Sequence, residues 1–349
     1  MNSCRLLLTS TLMLMALPAG AVSLDQKSVD ELLSSLGADN QYDPAKGINW
    51  SVLPGPFYTP ELKLGLGMAV AGLYRVDPHD SRTQNSSLSF TGFISASGAL
   101  GMGVNNYTFF TDDRWRLFVD GAITKVPTGF WGIGYDAAQG SAQDYTNNSV
   151  RLRPVLMREV IDNFYIGAGW DFSSMQASVD SPHEGDRFSH YDASTSPLSS
   201  GATVSVNYDS RDVVTRPEHG QFFKAEYTWF DPSVGSDSHF TATELQYNVY
   251  HLLNEKAVLA FDVWGRFTRG DVPWDMLSMA GDDRRLRGYY QGRYRDNDVV
   301  SGQVEYRRKL NWRHGYVVWL GAGALGSDCR PDVQPGEQLF AARIDGGDA

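Results

Sequence analysis

The chain has 349 residues, 42% of them hydrophobic, and a formal net charge of −11. Nucleic-acid binding through the overall field needs clustered Lys and Arg to neutralise phosphates, so this acidic balance excludes it and we expect no nucleic-acid partner. Two cysteines, Cys4 and Cys329, are too few for a disulfide framework.

The first 21 residues have the pattern of a secretory signal peptide. Arg5 supplies the positive start, Leu6 to Leu17 form the apolar run, and Ala19-Gly20-Ala21 gives a small-x-small cleavage pattern. The alternative, an N-terminal anchor helix, needs a longer apolar run. No later stretch reaches the roughly 18 apolar residues of a membrane helix, which excludes a helical membrane protein. We therefore expect residues 1–21 to be a signal peptide and the mature protein to be exported.

From residue 59 to residue 326, polar and apolar residues alternate with a period of two, as in strands with one wet and one apolar face. Between Gly302 and Leu310, for example, the polar residues Gln303, Glu305 and Arg307 share one face. The pattern predicts about 12 strands of roughly ten residues, the length that a tilted membrane strand needs. The predicted spans are 61–76, 86–97, 99–110, 114–125, 149–159, 163–178, 200–210, 220–230, 239–253, 256–268, 300–310 and 316–325.

The connections between these strands alternate in length. Tight turns are predicted at 111–113, 161–162, 254–256 and 313–315, and long polar loops at 127–146, 180–198 and 269–299. Short turns at one end and long loops at the other are typical of outer-membrane barrels. A soluble β-sandwich, the alternative, rarely sustains this pattern for so long. We predict an all-β fold, an antiparallel transmembrane β-barrel surrounded by the lipid of a Gram-negative outer membrane.

The segments on either side of the predicted barrel are less regular. Residues 22–58 are interpreted as a short periplasmic segment with one helix, which begins at the capping box Ser28–Glu31 and continues through Leu36. This helix either plugs the periplasmic mouth or belongs to a linker. After Gly326 no alternation is visible, so we expect residues 327–349 to form an atypical, disordered tail of a chain that is truncated or frame-shifted there.

The sharpest local feature is an arginine-rich loop at 280–290, between two strands with polar residues on the predicted lumen face. Guanidinium groups prefer paired carboxylates, and ordering a long loop costs conformational entropy. Two interpretations stay open on these grounds. The loop is either a mobile surface loop with solvated charges, or it folds into the lumen with Arg287 held by an inward carboxylate.

Three motifs in chain order resemble the outer-membrane surface-antigen superfamily, which includes the barrel-assembly and translocation-assembly proteins and the two-partner secretion transporters. They are Tyr208-Asp209-Ser210-Arg211-Asp212 followed by Pro217 and Gly220, Leu286-Arg287-Gly288-Tyr289 preceded by Gly281 and Asp282, and Gly302-x-x-Glu305-x-Arg307. The resemblance covers residues 50–325. It implies a barrel whose loop dips into the lumen, and whose seam between first and last strands opens to deliver client strands to the lipid.

The resemblance also implies roles for individual residues. Arg287, Gly288 and Tyr289 correspond to the lumen-loop motif, with Glu305 and Arg307 as the loop's partners. The family often carries an acidic partner two residues after an aromatic in the next strand, but the residue at this position here is Gly321. Since only residues 22–58 precede the predicted barrel, we expect a barrel-only branch without periplasmic domains.

No catalytic or metal-binding motif stands out. A Gly-x-Ser-x-Gly elbow is missing, and the seven histidines lack metal-ligand spacing. His183, Glu184, Asp186 and His190 share one loop, which is either a cation site or a solvated surface. His251 lies on an apolar strand face without a spaced Ser and acid to complete a triad. We expect no cofactor, no metal and no enzymatic activity.

The sequence therefore supports one principal functional hypothesis and two competing ones. The principal hypothesis is a role in outer-membrane biogenesis or protein transport, with client outer-membrane or secreted proteins as partners. The first competitor is a passive pore or surface-exposed structural antigen without insertase activity, and the second is an outer-membrane hydrolase.

Overall fold

The computed structural model describes residues 47–59, 62–80, 83–179, 187–191, 193–214, 216–282, 284–311, 314–326 and 338–348. The predicted signal peptide at 1–21 and the predicted helix at 28–36 lie outside these residues. The described part of the chain contains no helix that is long and apolar enough to cross a membrane.

The described residues form sixteen strands, three single-turn 3-10 helices and one short α-helix, α1 (Arg187–His190). The strands are β1 (Asn49–Thr59), β2 (Lys63–Tyr74), β3 (Ser86–Ser95), β4 (Leu100–Phe109), β5 (Trp115–Phe130), β6 (Gln143–Ile161), β7 (Phe164–Ser178), β8 (Leu198–Asp209), β9 (Gly220–Phe230), β10 (Phe240–Asn254), β11 (Ala257–Gly270), β12 (Ser278–Ala280), β13 (Tyr294–Asp296), β14 (Asp298–Lys309), β15 (Gly315–Gly326) and β16 (Gln338–Asp348). The twelve predicted spans correspond to β2 to β11, β14 and β15, because a sustained period of two has no other regular solution.

Fourteen strands form one antiparallel sheet in chain order, with β11 paired to β14 across the small β12–β13 hairpin. Within the described residues, no ladder joins the two edge strands β1 and β16. The sheet nevertheless curves strongly, since side chains of non-neighbouring strands meet. Arg153 of β6 lies 3.2 Å from Glu226 of β9, and Arg116 of β5 lies 2.7 Å from Asp209 of β8. The all-β barrel fold is confirmed.

The two faces of this curved sheet differ in the way that a membrane barrel requires. The outer face is apolar and exposed: Leu66 is 63% exposed and Met102 is 71% exposed. The inner face is polar and buried, as at Thr203, Ser205 and Asn207 of β8. A soluble protein has the opposite arrangement, with an apolar interior and a polar surface. The apolar outer face of this sheet is therefore the surface that contacts lipid.

The ends of the strands are also distinct. One end carries short connections, among them 110–114, 162–163 and 255–256. The opposite end carries the longest ones, at 179–197 and 271–297. Since barrel turns are short on the periplasmic side and long outside, the first end faces the periplasm.

The structure corrects the predicted boundary of the barrel at its start. Residues 49–58, expected to belong to the periplasmic segment at 22–58, form strand β1 together with Thr59, and this strand pairs with β2 along its whole length. An edge strand tolerates proline because one row of its N–H groups has no partner strand. Pro54 and Pro56 are two residues apart and therefore lie on the same row.

The structure also contains strands that the sequence did not predict. Gln338–Asp348 pairs with β15 from Tyr316 to Leu325, whereas a tail without strands was expected after Gly326. The β12–β13 hairpin lies within the predicted long loop, where three-residue strands are too short to show alternation. The sheet is consequently wider than the twelve predicted strands.

Candidate functional site

The segment between β11 and β14, residues 271–297, is called the inner loop. Its β12–β13 hairpin projects residues 281–293, which carry the arginines. Gly281 begins this projection with φ +87°, and a Cβ there would lie 2.6 Å from the Tyr289 carbonyl oxygen, so only glycine fits. Asp282 then caps a tight turn, because its Oδ1 accepts hydrogen bonds from the backbone N–H groups of Arg284 and Arg285.

The predicted motif at 286–289 is a second turn. The Tyr289 N–H donates to the Leu286 carbonyl at 3.1 Å, and Gly288 at the third position has φ +95°. A positive φ at this position is the requirement of a type II turn, which explains the glycine. The turn directs its side chains to opposite sides. Tyr289 packs against Tyr294 in the small core beneath the loop, whereas Arg287 points to the barrel wall.

The structure places Arg287 beside Glu305 and Trp319. Its Nη2 lies 3.3 Å from Glu305 Oε2, and its guanidinium lies 4.5 Å from the centre of the Trp319 ring. Arg307 binds the other oxygen of Glu305 and also donates to the Pro217 carbonyl at 3.5 Å. A continuous chain of contacts thus joins the three motifs that carry the family resemblance, from the inner loop through β14 to the periplasmic segment between β8 and β9.

A second attachment was not predicted from the sequence. Arg285 Nε lies 2.7 Å from Asp262 Oδ2 on β11, and Arg285 Nη2 lies 3.1 Å from Asp262 Oδ1. Asn248 on β10 donates to the same carboxylate at 2.6 Å. Bidentate Arg–carboxylate pairs are among the stronger polar contacts. Alternation along β11 does place Asp262 on the inner face, but the sequence contains no signal that pairs it with Arg285.

Apolar contacts complete the attachment. Leu286 packs against the inner face of β15 at Gly323, where an added Cβ would lie 2.7 Å from Leu286 Cδ1. Leu286 is 6% exposed and belongs to a core cluster with Ala280, Val299 and Leu325. Glycine at position 323 therefore provides the space in which the inner loop rests against the wall.

Below the inner loop lies a cavity of about 850 Å³, enclosed by the inner faces of β3 to β6 and β8 to β10. Its lining is rich in charged side chains, and the loop contributes two arginines to it. The charged residues of the lining are Asp120, Arg151, Arg153, Arg211, Lys224, Glu226, Glu244, Arg284 and Arg285.

Most of these charges on the wall are paired. Lys224 Nζ lies 2.6 Å from Glu244 and 3.0 Å from Glu226, and Arg153 bridges Glu226 to Asp171 at 3.2 and 3.1 Å. Pairing of this kind offsets the cost of removing each charge from bulk water. The network connects β6, β7, β9 and β10 across the interior.

An aromatic cluster lies at the outer end of the barrel, among the long loops. The ring centres of Phe130, Phe188 and Trp274 lie within about 5 Å of one another, with Phe130 stacked on Phe188 and Trp274 inclined to both, and Tyr145 contacts their edge. Arg295 is buried between the Phe130 and Trp274 rings, at 5.1 and 5.0 Å. We call this cluster the outer cap; it joins the loops at 179–197 and 271–297, since the Trp274 indole N–H donates to the Ser194 carbonyl at 2.8 Å.

Asp275 directly follows Trp274 of the outer cap. Burial raises its pKa to about 6, and among the described residues its Oδ1 has no hydrogen-bond partner. A carboxyl group in such surroundings is more stable in its neutral form.

Other residues singled out in the sequence show no assembled chemistry. Among the described residues, no three His, Cys, Asp or Glu side chains lie close enough together to hold a metal ion. His251 is exposed on the outer face of β10. Of the predicted loop group, His183, Glu184 and Asp186 lie outside the described residues, and His190 contacts the ring of Tyr191.

Comparison with solved structures shows a shared fold. Over 80% of this chain, BamA from Haemophilus ducreyi lacking POTRA domains 1–3 is similar, with a TM-score of 0.50 and 16% identity. CdiB from Acinetobacter baumannii is similar over 82% of this chain, with a TM-score of 0.51 and 11% identity. The matched regions cover 58% and 50% of those chains, so this chain spans little more than half of their length. No curated protein sequence matches.

Comparison with protein families matches residues 80–331 to the Omp85 superfamily domain. This match covers well over half of the chain and includes all three motifs that the structure joins. The protein is an outer-membrane β-barrel of Gram-negative type, and it belongs to the Omp85 superfamily.

Proposed function

We propose that this protein acts in outer-membrane biogenesis or in the passage of client proteins across or into the outer membrane, without catalysis. The observation that carries the proposal is the inner loop, which lies inside the barrel and is attached to the wall by Arg287–Glu305 and Arg285–Asp262. A loop held on one side of a polar cavity leaves the rest of the interior available to a substrate.

The same observation favours this proposal over a passive pore. A passive pore needs a continuous water-filled channel, whereas here the inner loop and the outer cap occupy the interior above the cavity. Loops that only display an antigen have no need of buried ion pairs to the barrel wall. Conductance measured in planar bilayers distinguishes these functions, because a passive pore stays open, whereas our proposal expects low conductance with the inner loop attached.

The direct test is assisted folding of a client. The full chain is reconstituted in phospholipid vesicles, and a small outer-membrane barrel protein is added unfolded in urea. Folding of the client is followed by its change in electrophoretic mobility without heating. We expect wild-type vesicles to accelerate folding over empty vesicles, and Arg285→Gln/Arg287→Gln vesicles to lose most of that acceleration.

Arg158→Gln serves as the control, since Arg158 is exposed on the outer face of β6 and does not line the cavity. Client folding at the empty-vesicle rate with wild-type protein contradicts the proposal. Detergent-dependent esterase activity of the purified chain contradicts the non-catalytic part and supports the hydrolase hypothesis instead.

A further inference from the structure

The periplasmic rim of the barrel carries a basic site, and only Arg307 of its charged residues takes part in the contacts of the inner loop. It lies between the β10–β11 turn, the start of β15 and the segment between β8 and β9, around a cavity of about 500 Å³. Five basic residues line it against two acidic ones; they are Arg216, Lys256, Arg307, Arg308 and Lys309, with Glu218 and Glu255. We call it the basic corner.

One of the two acidic residues of this corner, Glu218, is already paired. Lys309 lies 2.7 Å from Glu218 Oε1, and Arg216 lies 3.0 Å from the same oxygen. Within the described part of the chain, neither Lys256 nor Arg308 has a carboxylate at salt-bridge distance, and both are exposed. Two cations at the rim therefore face solvent or lipid without a protein counter-charge.

Their position relative to the wall points to lipid. Arg308 lies on the outer face of β14, where its ladder partner is Tyr316 of β15, and it donates to the Tyr306 hydroxyl at 3.1 Å. Leu310, 56% exposed, and Val318, 40% exposed, continue the apolar outer face on either side. Tyrosine and arginine at the edge of an apolar wall occupy the headgroup region of a bilayer.

We propose that the basic corner binds the headgroup of an anionic phospholipid in the periplasmic leaflet. Lys256 and Arg308 contact the phosphate, and the acyl chains lie along the apolar outer face near Val318, which is farther from the periplasmic end of the wall than Arg308. Both cations line the same cavity, and the Lys309 N–H donates to the Lys256 carbonyl at 2.8 Å, which holds the β10–β11 turn beside the end of β14. This proposal does not depend on the function proposed above.

The chain contains a matched corner with the opposite surroundings. Arg114 in the β4–β5 turn and Arg158 on the outer face of β6 repeat the arrangement, with the Glu159 N–H donating to the Arg114 carbonyl at 2.8 Å. Here acidic residues replace the additional basic ones; they are Asp112, Asp113, Glu159 and Asp162. Removing two cations at this corner changes the net charge equally but leaves the basic corner intact.

The test titrates purified full-length chain in detergent with short-chain phosphatidylglycerol or phosphatidylcholine, and counts bound lipid by native mass spectrometry. Wild type is expected to prefer phosphatidylglycerol by roughly tenfold, since each basic residue near a lipid surface contributes to anionic selectivity. Lys256→Gln/Arg308→Gln should lose this preference, and Arg114→Gln/Arg158→Gln should keep it. An electrophoretic shift on heating verifies that each variant is folded.

Three results overturn the proposal: no lipid preference in wild type, equal loss of preference in both double variants, or full preference in Lys256→Gln/Arg308→Gln. A fourth result would overturn the proposal by showing that the basic corner binds an acidic protein partner and not a lipid. In that case polyglutamate binds wild type and not Lys256→Gln/Arg308→Gln, while the two lipids bind alike.

Discussion

The inner surface of the barrel has two walls of opposite character. The inner faces of β2 to β4, called the small-residue wall, carry Gly65, Gly67, Ala69, Ala71, Thr91, Gly101 and Gly103. The inner faces of β6 to β14, called the charged wall, carry Arg151, Arg153, Asp171, Lys224, Glu226, Glu244, Asp262 and Glu305. Both ion pairs of the inner loop end on the charged wall.

The two walls are stabilised differently. On the small-residue wall, Phe57 lies over Gly65 and Phe93 over Gly101, and the two rings meet edge to face at 6.0 Å. On the charged wall, ion pairs connect neighbouring strands, as between Lys224 and Glu244, and also strands that are not neighbours in the sheet, as between Arg153 and Glu226. This difference explains where the inner loop is attached: it binds the wall on which carboxylates face inward. The small-residue wall is the side of the cavity to which the loop forms no ion pair.

The largest expected effect comes from breaking the charged wall. Replacing Lys224 by Met leaves Glu244, whose side chain is 18% exposed, without its ion-pair partner, and we expect a loss of about 3 kcal/mol in the free energy of unfolding. Urea unfolding in detergent micelles, followed by tryptophan fluorescence, measures the loss. Thr91→Val on the small-residue wall is the control, with an expected change below about 0.5 kcal/mol. Equal losses of unfolding free energy in the two variants would contradict the proposed difference in how the two walls are stabilised.

A smaller effect is expected at the outer cap above the charged wall. Because the pKa of Asp275 is raised to about 6 by burial, its neutral form favours the folded cap. The cap is therefore most stable at about pH 4 and below, and loses stability as the pH rises towards 6. Asp275→Asn should remove this dependence and stabilise the cap by roughly 2 kcal/mol above pH 6.

Amide hydrogen exchange of residues 272–280 in wild type and Asp275→Asn, measured at pH 4.5 and pH 7.5 with correction for the intrinsic exchange rate, tests this expectation. A wild-type cap that becomes more protected on going to the higher pH would show that the sign is wrong.

The smallest effect is expected on the small-residue wall. A Cβ at Gly65 would lie 2.7 Å from the backbone oxygen of Ile94, whereas at Gly67 the nearest atom, in Phe57, is 3.4 Å away. Gly65→Ala should destabilise the barrel by about 1 kcal/mol because the backbone of β3 must shift, while Gly67→Ala should be nearly neutral. The midpoints of urea unfolding compare the two, and a larger loss in Gly67→Ala would contradict the packing described.

Most of the sheet could be predicted because alternation is a local property of the sequence. Strands such as β9 (Gly220–Phe230) match their predicted limits residue for residue. β1 was missed because Pro54 and Pro56 are turn signals everywhere except on an edge strand. Whether a strand lies at the edge of a sheet depends on how all strands pair. The residues around the two prolines therefore do not reveal that β1 is an edge strand.

The site was predicted only in part for a similar reason. The family resemblance pointed to Arg287, Gly288 and Tyr289 with Glu305 and Arg307, and the structure brings Arg287, Glu305 and Arg307 into contact. The Arg285–Asp262 pair was missed because three arginines follow Asp283 and their directions are fixed by the turn at Asp282. Side-chain direction after a tight turn depends on backbone angles that residue spacing does not reveal.

The attachment of the inner loop to the charged wall is tested most directly by amide hydrogen exchange of the loop itself. The exchange rates of residues 284–293 are compared in wild type, in the double variant Asp262→Asn/Glu305→Gln and in Arg284→Gln. The last variant is the control, because Arg284 forms none of the ion pairs with the wall. The account predicts exchange roughly tenfold faster in the double variant than in wild type, with the sheet still protected and Arg284→Gln unchanged. Equal exchange in wild type and the double variant would contradict it, because the two ion pairs would then not be what holds the loop in place.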